Sequence, residues 1–197
     1  ALADGEWPGP KVELTGQANL TWGGARPSPE RFSGYFHAAW RPDALLLAVH
    51  VNDDQVFFPA QDEAEWWEWD SVEFWVGRQQ YAILPAPPAG TIVAMGSGAV
   101  AGAKVASRLV PGGYEVEALL PWPLPKAPGE ETVPFALGIN DAAEPGRRES
   151  QLYFPASWQH SAPESFARTR FAAEGAEPTQ VAEGPPSITD VKPLPQG

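Results

Sequence analysis

The 197-residue chain contains no cysteine. Disulfides, thiolate nucleophiles, cysteine-ligated zinc and covalently attached haem are therefore excluded. Basic residues are also few, with 13 Lys and Arg against 25 Asp and Glu and a formal charge of −12. Because nucleic acids and anionic lipid surfaces bind proteins through clustered Lys and Arg, we expect neither a nucleic acid nor a membrane surface as a partner.

Long apolar runs and helical patterns are missing as well. No stretch of about 18 apolar residues occurs, so we expect no membrane-spanning helix. The printed chain shows no basic-then-apolar leader at its start, so we expect no signal peptide within it. No segment has a sustained 3.6-residue apolar repeat, which limits helix to a turn or two near residues 122–125 and 163–166. The 23 prolines and single methionine are typical of heat-tolerant proteins.

The chain does contain about nine or ten short β-patterned segments separated by Gly and Pro loops. In the clearest hairpin, residues 34–40 and 45–52 alternate apolar and polar side chains around a turn, which predicts that Trp40 pairs with Leu45. This pattern favours an all-β, antiparallel β-sandwich of immunoglobulin or jelly-roll type. We assign residues 1–173 to the sandwich and residues 174–197 to a Pro/Gly/Glu-rich tail or linker.

One stretch, residues 65–76, holds four of the nine tryptophans and four carboxylates. From residue 71 on, the period of two puts Val72, Phe74 and Val76 on one face, for the core. Glu73 lies on the other face, beside loop tryptophans. Flat apolar rings next to carboxylate acceptors suit a ligand that has C–H faces and hydroxyl edges, such as a sugar.

Six short motifs, in order and in register, make the chain resemble the family 9 carbohydrate-binding modules over roughly residues 4 to 172. They are DGE at 4–6, WRPDALLLAV at 40–49, WEWDSVEF at 67–74, GGYEVEA at 112–118, NDA at 140–142 and SW at 157–158. The resemblance implies a non-catalytic sandwich that binds the chain end of a glucan or xylan, or a small sugar. It also implies a secreted or cell-surface protein.

The resemblance also implies a ligand site. In the family, two tryptophans on separate loops sandwich a sugar ring, and the matching positions here are Trp67 and Trp158. Glu73 matches the family's hydroxyl-binding glutamate, and Gln80 begins the following strand. Trp69, in the same loop as Trp67, completes our set of predicted ligand contacts.

The chain departs from the family in the strand after Glu73. Ala82 and Leu84 stand where the family has a ligand-binding arginine and asparagine. Glu73 itself has a second interpretation, as a solvated charge or as the partner of Arg78. We expect further domains, if the protein has them, to join through the tail.

Two other functions stay open on the residues alone. A sandwich of this kind can serve in cell-surface or complex assembly without binding sugar. Alternatively, His37, His50 and Met95 could ligate a non-covalent b-type haem in an electron-transfer domain.

Carboxylates offer two further chemistries. Hydrolysis needs two carboxyl groups about 5 to 9 Å apart, which Glu68 or Asp70 could supply together with Glu73, but the resembled family is non-catalytic and we expect no enzyme. Residues 53–54, Asp70 and residues 140–141 offer hard oxygen ligands for structural calcium. None of them forms a recognised calcium loop, so the sequence leaves the metal undecided and predicts no other cofactor.

Overall fold

Two of the predicted ligand contacts, Glu73 and Gln80, lie in strands of the larger of two antiparallel sheets. In a computed structural model, which describes residues 7, 11–15, 19–23, 27–121 and 132–170, 13 strands form these sheets. The smaller has the order β1 (Val12–Leu14), β3 (Phe32–Arg41), β4 (Ala44–Asp53), β10 (Gly113–Pro121) and β9 (Lys104–Val110). The larger has the order β2 (Leu20–Trp22), β12 (Arg147–Phe154), β11 (Thr132–Glu144), β5 (Ser71–Val76), β6 (Gln79–Ala86), β7 (Ala89–Ala94) and β8 (Gly98–Ala99), and β13 (Ala167–Arg170) also pairs with β11.

The predicted antiparallel β-sandwich is thus confirmed. The described residues hold 13 strands where about nine or ten were expected. Four of them, β1, β2, β8 and β13, have only two to four residues each. The described part of the chain includes two 3-10 turns, Trp66–Glu68 and Pro163–Ser165. Within that part, no helix has the length and apolar character that crossing a membrane requires.

The core lies between the two sheets, where the apolar alternation predicted it. Val72, Phe74 and Val76 are each no more than 2% exposed and pack into it. The predicted pairing of Trp40 with Leu45 is also confirmed. The other side of β5, which holds Glu73 and Trp75, therefore belongs to the face of the larger sheet turned away from the core, here called the outer face.

The Pro-rich residues 85–90 form a tight turn, because β6 continues through Pro85, which pairs with Gly90. A Cβ on Gly90 would lie 2.7 Å from Leu84 O and from Val105 Cγ1, so the absent side chain permits the close approach. Arg148 lies inside β12.

Several predictions fall on residues 122–131 and 171–197, which lie outside the described residues. These are the helical turn near residues 122–125 and the tail at residues 174–197.

Candidate functional site

Glu73 is the centre of a hydrogen-bond network on the outer face. Its Oε1 accepts hydrogen bonds from Asn140 Nδ2 at 2.8 Å and Gln151 Nε2 at 3.4 Å. Its Oε2 accepts from Gln80 Nε2 at 3.1 Å and Tyr153 OH at 2.6 Å. A carboxylate has about four acceptor sites, so all of them are occupied by neutral donors from three neighbouring strands.

The alternative interpretation of Glu73 was wrong. Its side chain is only 3% exposed, so it is not a solvated charge, and within the described residues no ion pair joins it to Arg78 or to any other cation. Its burial is tolerated because four donors replace the hydrogen bonds that water would make.

The network continues across the sheet in both directions. Gln151 Nε2 also donates to Asn140 Oδ1 at 2.7 Å, and Thr21 Oγ1 donates to Gln151 Oε1 at 3.1 Å. On the other side, Asn140 Nδ2 donates to Ser71 Oγ at 3.0 Å, and Ser71 Oγ donates to the carbonyl oxygen of Trp66 at 3.0 Å. A continuous set of hydrogen bonds therefore links edge strand β2 to the loop that carries Trp67.

Gly138 makes the contact between Tyr153 and Glu73 possible. Gly138 lies directly between them in the register, opposite Glu73 on β5 and opposite Tyr153 on β12. A Cβ at Gly138 would lie 2.4 Å from atoms of the Tyr153 ring. Only glycine therefore lets the ring lie across β11 so that its hydroxyl reaches the carboxylate.

Trp158 lies on top of Tyr153. The two rings are stacked with centroids 3.8 Å apart and an interplanar angle of 12°, so one face of the indole is covered by the tyrosine. Trp75 and Phe166 complete this cluster, and His160 meets Trp158 edge-on at 6.2 Å. Trp158 is half-buried, and its loop position is fixed by this packing onto β12, β11 and β5.

Trp67 belongs to a separate aromatic cluster over β6 and β7. Trp66 is buried and packs on Ala82 and Leu84. These are the two apolar residues that stand where the family has an arginine and an asparagine. Trp67 is half-buried and packs edge-to-face on Trp66, with centroids 5.3 Å apart. The clusters of Trp67 and Trp158 thus rest on strands to either side of Glu73.

Trp69 lies elsewhere, over the turn between β11 and β12. Its ring comes within 3.6 Å of the position a Cβ would have on Gly146. Gly146 has a φ of +73°, a conformation that favours glycine. Because glycine has no side chain, the indole can lie close to the backbone of this turn. Of the five predicted contacts, Glu73 and Gln80 touch each other, Trp67 and Trp158 flank them, and Trp69 stands at the end of the strands.

Sequence reasoning missed Tyr153 and Gln151, and it assigned Asn140 to a calcium site. Each stands at an outer-face position, but their contacts with Glu73 depend on the register between β5, β11 and β12. Alternation along β12 was the available signal, since Gln151 and Tyr153 have the same parity.

Three buried carboxylates form a second polar group. Ligand oxygens of Asp53, Asp70 and Asp141 all lie within 4.8 Å of one another. Asp53 ends β4, Asp70 precedes β5 and Asp141 lies in β11, so three separate chain segments meet here. The other two oxygen donors considered for calcium are not in this group, because Asp54 is exposed and Asn140 belongs to the Glu73 network.

Few donors satisfy these carboxylates. Asp70 accepts from the backbone N–H of Phe57 and, at 2.8 Å, from that of Ala142, and Asp53 Oδ1 accepts from Gln55 N at 2.9 Å. Asp53 Oδ2 is buried and has no hydrogen-bond partner within the described part of the chain.

The three carboxyl groups bind protons more tightly than carboxyl groups in water do. Burial, and secondarily the neighbouring carboxylates, raises the pKa of Asp53 to about 7 and that of Asp70 to about 8. Burial raises the pKa of Asp141 to about 6, although the Arg31 guanidinium 3.4 Å away opposes the change. One arginine is too little positive charge for three carboxylates, so the group suits a divalent cation.

The histidines do not form a haem site with Met95. His50 is engaged at both ring nitrogens, with Glu115 Oε1 and Asn52 Oδ1 each at 3.1 Å. His37 lies diagonally on the same sheet, as predicted, but Met95 follows β7 of the other sheet. The three predicted haem ligands are therefore not brought to one place.

The carboxylates considered for hydrolysis are also separated by their partners. Glu68 accepts a hydrogen bond from the backbone N–H of Arg148 at 3.2 Å. Asp70 belongs to the acidic group, and Glu73 belongs to the outer-face network. The three carboxylates therefore have different sets of hydrogen-bond partners.

These features define an all-β sandwich with a polar, aromatic-flanked outer face, and solved structures of similar fold are known. A family 9 carbohydrate binding module from Caldicellulosiruptor kristjanssonii in complex with cellotriose is 17% identical and has a TM-score of 0.60, covering 91% of this chain and 97% of its own. The module from that organism in complex with glucose is 18% identical with a TM-score of 0.54, covering 82% and 90%. No curated protein matches the chain.

A family match that covers nearly all of the described sandwich shows which family the chain belongs to. The chain belongs to the family described as carbohydrate family 9 binding domain-like, which it matches over residues 1–170. The resemblance inferred from six short motifs is thereby confirmed.

Proposed function

We propose that the chain is a non-catalytic carbohydrate-binding module that holds a pyranose ring between Trp67 and Trp158 on the outer face. The observation that carries the proposal is the Glu73 network with a half-buried tryptophan on either side of it. The similar modules from Caldicellulosiruptor were solved with glucose and cellotriose, which supports a glucan chain end or small sugar as the ligand.

Each residue has a separate part in this proposal. The tryptophan rings offer flat faces to the C–H faces of the sugar, and aromatic contacts of this kind contribute about 1 kcal/mol each beyond area burial. Glu73 and Gln80 address hydroxyl groups. A sugar hydroxyl that takes the place of Gln80 Nε2 leaves the carboxylate with four donors, and frees the amide to bind a second hydroxyl.

The network is fixed before the ligand arrives. Its side chains come from strands rather than loops, and Gly138 holds Tyr153 in place, so little ordering is needed on binding. Two stacking contacts and few hydrogen bonds predict dissociation constants in the micromolar to millimolar range. We place the module outside the cell or on its surface, with residues 174–197 as the segment that would join any further domain.

Titration calorimetry with glucose, xylose, cellobiose and xylobiose tests the proposal. We expect at least one sugar to bind, and Trp67→Ala or Trp158→Ala to abolish measurable binding. Leu109→Ala is a matched control, because Leu109 is 61% exposed on the edge strand of the other sheet. If no sugar binds at millimolar concentration, the proposal fails and an assembly role without sugar becomes the better interpretation.

A structural calcium ion is our second proposal. The donor set fits it, because Asp53, Asp70 and Asp141 supply hard carboxylate oxygens from three segments, and Asp53 Oδ2 has no other partner among the described residues. The ion would neutralise charges that Arg31 alone does not balance. Its measurable signature is a calcium-dependent melting temperature, described below.

A further inference from the structure

An exposed tryptophan stands on the same outer face as the proposed sugar site. Trp22 pairs with Gln151 in the register of β2 and β12, and directly opposed residues of antiparallel strands project from the same face. Gln151 contacts Glu73, which fixes that face as the outer one. Trp22 is 54% exposed, the most exposed tryptophan among the described residues.

The ring of Trp22 is held in place on one side. The guanidinium carbon of Arg148 lies 4.7 Å from the ring centroid, and Arg148 Nη2 is 4.0 Å from Glu68 Oε1. Thr21 tethers the strand, because its hydroxyl donates to Gln151 Oε1 at 3.1 Å. A cation on one face of the indole leaves the opposite face for a ligand, and the ring needs little ordering to bind it.

Arg148 is itself held in place. Its side chain is only 13% exposed and its Nε is buried, so the guanidinium stays against the covered face of the Trp22 indole. The open indole face then provides the flat apolar contact that the C–H face of a sugar ring uses.

Strand geometry places Trp22 next to the proposed clamp and not within it. Gln151 is one strand away from Trp22 and two residues along β12 from Tyr153, on which Trp158 stacks. With strand spacings of about 4.8 Å and a rise of about 3.4 Å per residue, the backbone positions of Trp22 and Tyr153 are roughly 8 Å apart. The Tyr153 ring beneath Trp158 lies across β11, one strand farther from β2, so a ligand that continues from Trp158 toward this edge meets Trp22 with a later ring of the chain.

We propose that Trp22 and Arg148 form a second subsite that holds a further ring of an oligosaccharide whose first ring lies between Trp67 and Trp158. This inference rests on the proposed function and deepens it. It makes the ligand a short glycan chain, with affinity that rises with length as the chain reaches the β2 edge.

The test measures how affinity grows with chain length. Glucose, cellobiose and cellotriose, and in parallel xylose, xylobiose and xylotriose, are titrated into the intact chain and into Trp22→Ala, Trp22→Phe and Leu109→Ala. In Trp22→Ala we expect the affinity for the monosaccharide to be unchanged and the gain between monosaccharide and trisaccharide to fall about three- to tenfold. Trp22→Phe keeps a ring and should retain part of the gain, and Leu109→Ala should behave as the unchanged protein.

Each other outcome has a distinct meaning. If the chain-length gain is the same in Trp22→Ala and in the unchanged protein, the second subsite is wrong while the clamp stands. If Trp22→Ala weakens monosaccharide and trisaccharide equally, Trp22 acts on the clamp and the subsite is again wrong. If no saccharide of any length binds the unchanged protein, the proposed function fails and the subsite fails with it.

Discussion

Two groups of buried carboxylates in this sandwich have opposite surroundings. Glu73 receives hydrogen bonds from four neutral donors and has no other carboxylate in its network. Asp53, Asp70 and Asp141 face one another, with few donors and a single arginine. Burial of a carboxylate is costly in both places. Only at Glu73 do enough hydrogen-bond donors surround the carboxylate to compensate for the lost contacts with water.

The difference indicates what each group is suited to do. A carboxylate whose partners are amides and a hydroxyl can exchange one of them for a similar group on a ligand. Carboxylates whose main neighbours are other carboxylates instead need a proton or a cation. The comparison therefore separates a site for hydroxyl groups from a site for positive charge within one sandwich.

The largest effect should come from calcium. The raised pKa values of Asp53, Asp70 and Asp141 mean that the folded state holds protons more tightly than the unfolded chain. Without metal, the contribution of these three groups to stability is therefore fully present below pH about 4 and is lost as the pH rises toward 8. Saturating calcium should restore about 4 kcal/mol at pH 8 if it exceeds its dissociation constant about a thousandfold.

The measurement is the melting temperature between pH 4 and 8, in chelator and in millimolar calcium. Magnesium, which prefers to keep its own water ligands, is the control cation. A calcium effect as large at pH 4.5 as at pH 8 would contradict binding by these carboxylates, since protons should displace the ion there.

Removing the acceptor at the centre of the outer-face network should be the next largest effect. Glu73→Ala leaves four donors without their acceptor, and we expect a loss of about 3 kcal/mol in the free energy of unfolding, measured by urea denaturation. Glu73→Gln should cost about 1 to 3 kcal/mol, because one oxygen becomes a donor that faces donors. Glu115→Gln, on the exposed side of the other sheet, is the control. Equal costs for Glu73→Gln and Glu115→Gln would show that the network contributes no special stability.

The same acid-to-amide change should have the opposite sign in the acidic group. Asp53→Asn keeps the acceptor for Gln55 N and places an amide N–H₂ where Asp53 Oδ2 lacks a partner, facing carboxylates. In chelator at pH 8 we expect a gain of about 1 kcal/mol in the free energy of unfolding, together with a smaller response to calcium. Destabilisation in chelator would mean that like-charge repulsion is not what limits this group.

The smallest effect should come from charges that remain in contact with water. Arg108 Nε donates to Glu115 Oε2 at 2.7 Å on the smaller sheet, and the Arg108 side chain is largely exposed. Arg108→Ala should change the free energy of unfolding by about 0.2 to 1 kcal/mol, less at high salt. A larger loss would place this pair in the same class as the buried groups and weaken the comparison.

Much of the fold could be predicted from the sequence because alternation is a local property. The hairpin of β3 and β4 and the core face of β5 followed from side chains at successive positions in one segment.

The composition of the outer face could be predicted only in part. Glu73 and the two flanking tryptophans were found by resemblance, but Tyr153 and Gln151 reach Glu73 from a strand nearly eighty positions away in the chain. Trp22 was overlooked because β2 is three residues long and is placed by its pairing with β12. Long-range register, which no local pattern contains, decides these contacts.

The acidic group also closes a loop, because Asp53 stands just before it and Asp70 just after it. Trp67 lies within this loop, so the conformational entropy of the segment that carries the ring depends on how firmly its two ends are held together. A proton or a cation between the two carboxylates is thus equivalent to a removable cross-link. If the proposed sugar site at Trp67 is correct, we expect its affinity to respond to whatever neutralises Asp53 and Asp70, although both carboxylates lie in the acidic group and outside the proposed site.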